Sequence, residues 1–129
     1  MANQLQFELA SPQKLACSKP VVMVTVPGGE GDFGVMLGHA PMATTVAMGV
    51  VEAYEHDQTT VTERWFVAGG FCEVVGDRCT VMADQVIAIK DLKKDILEEE
   101  IASLAKEAAN DSDAAQKMAI AQAKLQVIG

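Results

Sequence analysis

Positive charge, aromatic rings and cysteine are all scarce in this sequence, and each shortage excludes something. Ten Lys and Arg stand against 18 Asp and Glu in 129 residues, a formal net charge of −8. Without a surplus of cations to neutralise phosphates, a general nucleic-acid-binding role is excluded, and so is adhesion to anionic lipid. No apolar run approaches the roughly 20 residues of a membrane span, so no direct insertion into lipid is expected. The first residues, Met-Ala-Asn-Gln, lack the basic and apolar regions of a secretory signal, and the first charge is Glu8. The three cysteines, Cys17, Cys72 and Cys79, form no C-x-x-C pair and read as reduced thiols in or near a core. The two histidines, His39 and His56, are not spaced to join them at a metal. Neither a metal nor a cofactor is expected.

What is present is sharply divided. All four prolines fall within residues 1–41, the six aromatics end at Phe71, and nine of the ten glycines precede residue 80. Residues 91–129 hold nine alanines and neither proline nor aromatic. Two kinds of structure therefore meet near residue 90, giving domains over 1–90 and 91–129. A chain of this length can bury roughly two thirds of its unfolded surface without disulfide staples.

Residues 1–90 read as short strands separated by turns. Leu5, Phe7 and Leu9 alternate with polar neighbours until Ser11-Pro12 breaks the pattern. Val21 to Val26 is a β-branched run closed by Pro27-Gly28-Gly29. Strands are expected from Met42 to Met48, Val50 to Glu55, Thr60 to Val67, Phe71 to Val75 and Cys79 to Met82. Gly69-Gly70 is read as a break, His56-Asp57-Gln58 as a loop, and Gly76-Asp77-Arg78 as a hairpin turn. So many short strands predict a β-sandwich or barrel. The acidic residues Glu52, Glu55, Asp57 and Glu63 read as a solvated sheet surface, and Trp65 and Phe66 as core or interface.

The period changes after Asp91. Asp95 with Glu98 makes an N-cap pattern, and Leu97, Ile101, Leu104 and Ala108 form one helical stripe. Asn110-Asp111-Ser112-Asp113 is a turn and second cap, followed by a helix from Ala114 to Ile128 with Ala115, Met118, Ala119, Gln122 and Leu125 on one side. The two helices form an antiparallel hairpin whose alanine faces bury little area, so it needs a partner. The expected fold is thus mainly β plus α, an N-terminal β-sandwich followed by a C-terminal antiparallel helical hairpin.

One motif points toward an enzyme. Gly29-Glu30-Gly31-Asp32-Phe33-Gly34 matches the G-x-G-x-x-G of dinucleotide-binding proteins. That chemistry needs a long helix after the glycines, aiming N–H groups at a pyrophosphate. Val35 to Pro41 cannot supply one, and Glu30 and Asp32 would repel phosphate, so a turn with positive φ is the better reading. His39 beside Pro41 has the chemistry of a general base, but no serine or cysteine nucleophile has a readable partner, and a lone loop histidine reads as structural or interfacial. No catalytic residue is assigned.

Four segments, taken together, resemble a known family. Val26-Pro27-Gly28-Gly29-Glu30-Gly31-Asp32-Phe33-Gly34-Val35, Gly38-His39-Ala40-Pro41, Phe66-Val67-Ala68-Gly69-Gly70-Phe71-Cys72-Glu73-Val74 and Thr80-Val81-Met82-Ala83-Asp84 are similar, in order and spacing, to the epsilon subunit of F-type ATP synthases. The resemblance implies a non-catalytic rotor subunit of the central stalk, with a sandwich that couples the gamma subunit to the c-ring. Its ring contact maps onto Glu30, Gly31, Asp32 and His39. It further implies a peripheral location on the cytoplasmic side of a bacterial plasma membrane.

In many such proteins the hairpin reaches the alpha/beta head and blocks ATP hydrolysis, and some bind ATP through a Leu/Ile-Asp-x-x-Arg-Ala motif. Here Lys93, Ile96 and Leu97 replace the aspartate, arginine and alanine, and no arginine follows Arg78. Without a guanidinium fork, weak or no ATP binding is expected. Lys117 and Lys124 are the only cations of the second helix, so weak or absent inhibition is expected as well. An ATP-sensing inhibitory regulator is the alternative within the family, and a small dinucleotide-binding enzyme the remote one.

Overall fold

A computed structural model describes residues 4–107 and 111–128. The chain divides into two compact units, one ending at Val86 and the other beginning at Ile87, each described by itself.

The described residues form eight strands, which make up the first unit apart from the last two residues of the eighth: β1 (Leu5–Ala10), β2 (Leu15–Val21), β3 (Met23–Gly28), β4 (Gly31–Met36), β5 (Met42–Thr45), β6 (Gly49–Tyr54), β7 (Glu63–Val75) and β8 (Arg78–Ala88). Their hydrogen-bonded order is β2-β1-β8-β7-β6-β3-β4, with β5 paired separately to β7. All neighbouring pairs whose register is known are antiparallel except β1 with β8, which is parallel.

This ribbon folds into a sandwich because β7 serves both layers. Its first part, Glu63–Val67, pairs with β6, and its last part, Phe71–Val74, pairs with β5. The change of partner falls at Gly69-Gly70, with φ of 72° and 119°. A side chain on Gly70 would collide with the Met82 carbonyl oxygen on β8. The expected break at Gly69-Gly70 is therefore a bend within one 13-residue strand, where glycine allows both the backbone angles and the close approach.

The alternation read in β1 holds, with Leu5, Phe7 and Leu9 fully buried. Phe7 packs on Trp65 of β7, ring centroids 5.9 Å apart and tilted by 49°, a geometry that suits the aromatic quadrupoles. Trp65 and Phe66 are both core residues. Two strands escaped the sequence reading. β2 carries Pro20 and Lys19 and lies at one edge of the sheet, where a proline removes no needed ladder bond. β4 contains Gly31, Asp32 and Gly34, which disguise it as a loop, and it lies at the other edge.

The second unit holds a 3₁₀ turn (Ile89–Asp91), α1 (Lys94–Ala105) and α2 (Ser112–Ile128). In α1 the expected stripe holds, with Leu97 buried and Ile101 and Leu104 half-buried. The expected cap does not. The N-cap position is Lys93, without a side-chain cap bond, and Asp95 sits inside the first turn, where its charge still favours the helix dipole. α2 is capped by Asp111, whose Oδ1 accepts from the Asp113 N–H at 2.9 Å. Its buried positions are Ala114 and Ala121, with Met118 and Leu125 half-buried between and after them, while Ala119 and Gln122 are exposed. The expected face was thus rotated toward the wrong side, because alanine-rich sequence gives a weak periodic signal. Ala108 of the first stripe and Asn110 of the turn lie outside the described residues.

Candidate functional site

The acidic segment singled out by sequence is a tight β-hairpin. Gly28 pairs with Gly31, leaving Gly29-Glu30 as a two-residue turn between β3 and β4. Gly31 has φ of 127°, which an L side chain rarely adopts, so glycine is required there. Asp32 follows in β4, opposite Pro27. Glu30, Gly31 and Asp32 are all exposed, so the turn presents two carboxylates on a rigid scaffold. No helix follows the G-x-G-x-x-G segment; β4 does. This removes the anion-binding helix end that a dinucleotide site needs, and the enzyme reading with it.

His39 lies elsewhere. It follows the far end of β4, separated from Asp32 by most of a six-residue strand, a rise of about 20 Å over the whole element. Its backbone N–H donates to the Met36 carbonyl at 3.1 Å. Its Nδ1 lies 2.7 Å from the Ala40 carbonyl oxygen. A carbonyl only accepts, so Nδ1 is the donor in this contact. The four residues therefore do not form one cluster. They flank the edge strand β4, Glu30 to Asp32 at one end and His39 at the other.

A second surface was not singled out by sequence. Ala10 of β1 pairs with Leu15 of β2 and with Met82 of β8. Counting back from the Gly76-Asp77 turn sets Phe71 of β7 beside Met82, and Phe71 pairs with Thr45 of β5. Leu15, Phe71 and Met82 are 59%, 52% and 37% exposed. An apolar row thus crosses the outer face of one layer. A signal for part of it existed, since alternation that buries Cys72 and Val74 turns Phe71 and Val75 outward. Leu15 was hidden because its strand was not recognised.

The acidic residues read as a solvated surface are in fact engaged. Lys19 Nζ lies 2.6 Å from Glu63 Oε2 and 3.4 Å from Glu55 Oε2. Glu55 Oε2 also accepts from Thr62 Oγ1 at 2.7 Å. That hydrogen bond, aided by Lys19 and opposed by partial burial, holds the Glu55 carboxyl below its ordinary value. The hydrogen bond to Glu63 raises Lys19. Arg64 Nε donates to Glu52 Oε2 at 3.2 Å. Asp57 accepts from the backbone N–H groups of Thr59 and Thr60 at 2.8 and 2.6 Å, which lowers its carboxyl and closes the loop locally. These are structural pairs; the thiol beside the Lys19 cluster, Cys17, is buried, and burial pushes it up to about 11.

In the second unit, Lys93 and Ile96, standing where the ATP motif has aspartate and arginine, are exposed, while Leu97 is buried. Lys117 is exposed and Lys124 half-buried, two turns apart on α2. Among the described residues no group of His, Cys, Asp and Glu is disposed to hold a metal, and no helix is long and apolar enough to cross a membrane.

An acidic hairpin tip and an exposed apolar row are thus the two surface features of this small sandwich. Residues 4–89 match the family model described as the beta-sandwich domain of the ATP synthase delta/epsilon chain. The ATP synthase epsilon chain of Rhodospirillum centenum is 44% identical over 137 aligned residues, covering 99% of this chain and 94% of that protein. The epsilon chain of Rhodospirillum rubrum is 44% identical, covering 97% and 96%. A solved structure of the Euglena gracilis mitochondrial ATP synthase, comprising OSCP, F1 and c-ring, contains a chain of the same fold, with a TM-score of 0.77 and 19% identity over 98% of this chain and 79% of that one. The chain belongs to the ATP synthase epsilon-chain family. As such it is a structural stalk subunit and not a catalytic one.

Proposed function

We propose that this protein couples the gamma subunit to the c-ring in the central stalk of a proton-translocating ATP synthase. The observation that carries the reading is the apolar row Leu15–Ala10–Met82–Phe71. Exposed apolar area of this kind on a small sandwich marks a protein interface, and we assign it to gamma. The c-ring contact runs along edge strand β4, with Glu30, Gly31 and Asp32 at one end and His39 at the other. Carboxylates on a rigid turn meet polar or basic ring loops, and the matching of charge fixes register. The protein is peripheral to the membrane on its cytoplasmic side, held there by its partners.

The hairpin inhibits ATP hydrolysis weakly or not at all. Its ATP motif is lost at Lys93, Ile96 and Leu97, it contains no arginine, and Lys117 and Lys124 are the only cations in the sequence of α2.

Two substitutions test the coupling role. Phe71→Glu should abolish co-purification with gamma while leaving the far-ultraviolet circular dichroism spectrum unchanged; retained co-purification would remove the apolar row from the gamma interface. In the assembled enzyme, Asp32→Lys should lower ATP-driven proton pumping relative to ATP hydrolysis, and unaltered coupling would count against the β4 contact.

A further inference from the structure

Cys72 and Cys79 face each other inside the hairpin that carries half of the apolar row. Their Sγ atoms are 3.8 Å apart, in contact, and both side chains are fully buried. The turn at Gly76-Asp77 sets Cys72 opposite Val81 and Cys79 opposite Val74, so the two thiols meet along a diagonal of the β7–β8 ladder. Cys17, by contrast, lies on β2 beside Lys19, and burial pushes its thiol up to about 11.

We propose that Cys72 and Cys79 are an oxidisable dithiol, and that its closure by a peroxide distorts the β7–β8 hairpin and weakens docking at the Phe71–Met82 face. The second half of the proposal rests on the assignment of that face to gamma. Geometry supplies the link. A disulfide needs sulfurs about 2.05 Å apart and Cα atoms about 4.4–6.8 Å apart, whereas diagonal Cα neighbours in a ladder lie about 7–8 Å apart. Closing the diagonal therefore draws β7 along β8. Phe71 is bonded directly to Cys72 in the chain, and Met82 is three residues beyond Cys79, so the shear reaches both outward side chains.

The chemistry closes without further cofactors. The contact with Cys79 draws the Cys72 thiol down against the opposing effect of burial, and the same contact together with burial pushes Cys79 up. Because the two sulfurs touch, whichever is oxidised first is resolved by the other, and one route begins at Cys72. Cys72 as thiolate attacks one oxygen of hydrogen peroxide, breaks the O–O bond and becomes a sulfenic acid, and the departing hydroxide takes up a proton to leave as water. Cys79 sulfur then attacks Cys72 sulfur, the S–O bond breaks, and a second water leaves with the Cys79 proton. Two thiols lose two electrons and two protons, and one peroxide becomes two waters. Peroxide is little larger than water and reaches the pair through small local openings of the hairpin.

The test uses the full chain and its complex with gamma. Hydrogen peroxide should lower the mass of the intact protein by two hydrogens, and digestion without reductant should yield one linked peptide containing residues 72 and 79. Dithiothreitol should reverse both changes, and Cys17→Ser should leave them intact. The oxidised chain should bind gamma at least about fivefold more weakly than the reduced chain, with the difference removed by reductant. Absence of the linked peptide, or its replacement by sulfinic acid on a single cysteine, overturns the dithiol. A linked peptide with unchanged gamma affinity overturns the shear. If the reduced chain does not bind gamma, the docking assignment fails by itself, and the linked peptide still decides the dithiol.

Discussion

Single residues carry the constraints that shape this sandwich, and glycine shows how differently two of them act. Gly31 needs glycine only for its backbone angle, since space around it is open. Gly70 needs it twice, for a φ of 119° and because β8 runs against it. Gly31→Ala should therefore cost about 1–3 kcal/mol of stability, while Gly70→Ala should cost more, because steric displacement of β8 adds to the angle. Urea unfolding of the two variants checks the order, and equal costs would show that β8 yields freely at Gly70. The sequence marked both positions through their glycines and read the first as a turn, but it did not show that the second is a bend within one strand. That depends on the strand lying alongside, which a local reading does not see.

At the scale of elements, the cluster around Lys19 joins edge strand β2 to Glu55 beyond the end of β6 and to Glu63 at the start of β7. Ion pairs this exposed contribute little alone, but they make the latch titratable. Glu55 has a lowered pKa in the folded state, so its contribution is present above the ordinary carboxylate range and is lost as pH falls through the folded value. Lys19 has a raised one, so its share is complete below the ordinary lysine value and is lost as pH rises through the folded value. Lys19→Met should accordingly flatten the fall in melting temperature below about pH 5, and a parallel downward shift at every pH would remove the electrostatic account. Periodicity could not reveal this latch, because its members are distant in the chain and each looks like an ordinary surface charge.

The same limit decided which strands were legible. β1 announced itself by alternation, and the α1 stripe by its spacing of large aliphatic residues. β2 and β4 did not, because edge strands tolerate proline, lysine and glycine that a central strand rejects. The apolar row depends on both an unrecognised strand and the pairing of β1 with β8, and so was invisible as a surface. In α2 small alanines gave too little contrast to fix which side was buried.

For the molecule as a whole, the division of charge and composition carries the functional expectation. Residues 1–90 have a net charge of −5 and residues 91–129 of −3, so the hairpin itself carries more carboxylates than cations. Titration of the chain with Mg-ATP should show no sub-millimolar binding, and such binding would revive the ATP-sensing regulator. Deleting residues 91–129 should leave ATP synthesis largely intact without releasing a large ATPase activity; a large release would show that the hairpin does inhibit.

By itself the sequence determined the two-part architecture, the absence of a dinucleotide helix and the acidic glycine turn, since each follows from local patterning over a few consecutive residues. Tertiary structure alone decided that Gly69-Gly70 bends one strand between two layers, that His39 stands apart from Glu30 and Asp32, that Leu15, Met82 and Phe71 form one apolar row, and that Cys72 meets Cys79. Each of these is a matter of which strand lies beside which. Pairing over long separations is set by the burial and backbone hydrogen bonding of the whole sheet, and no short stretch of residues contains it.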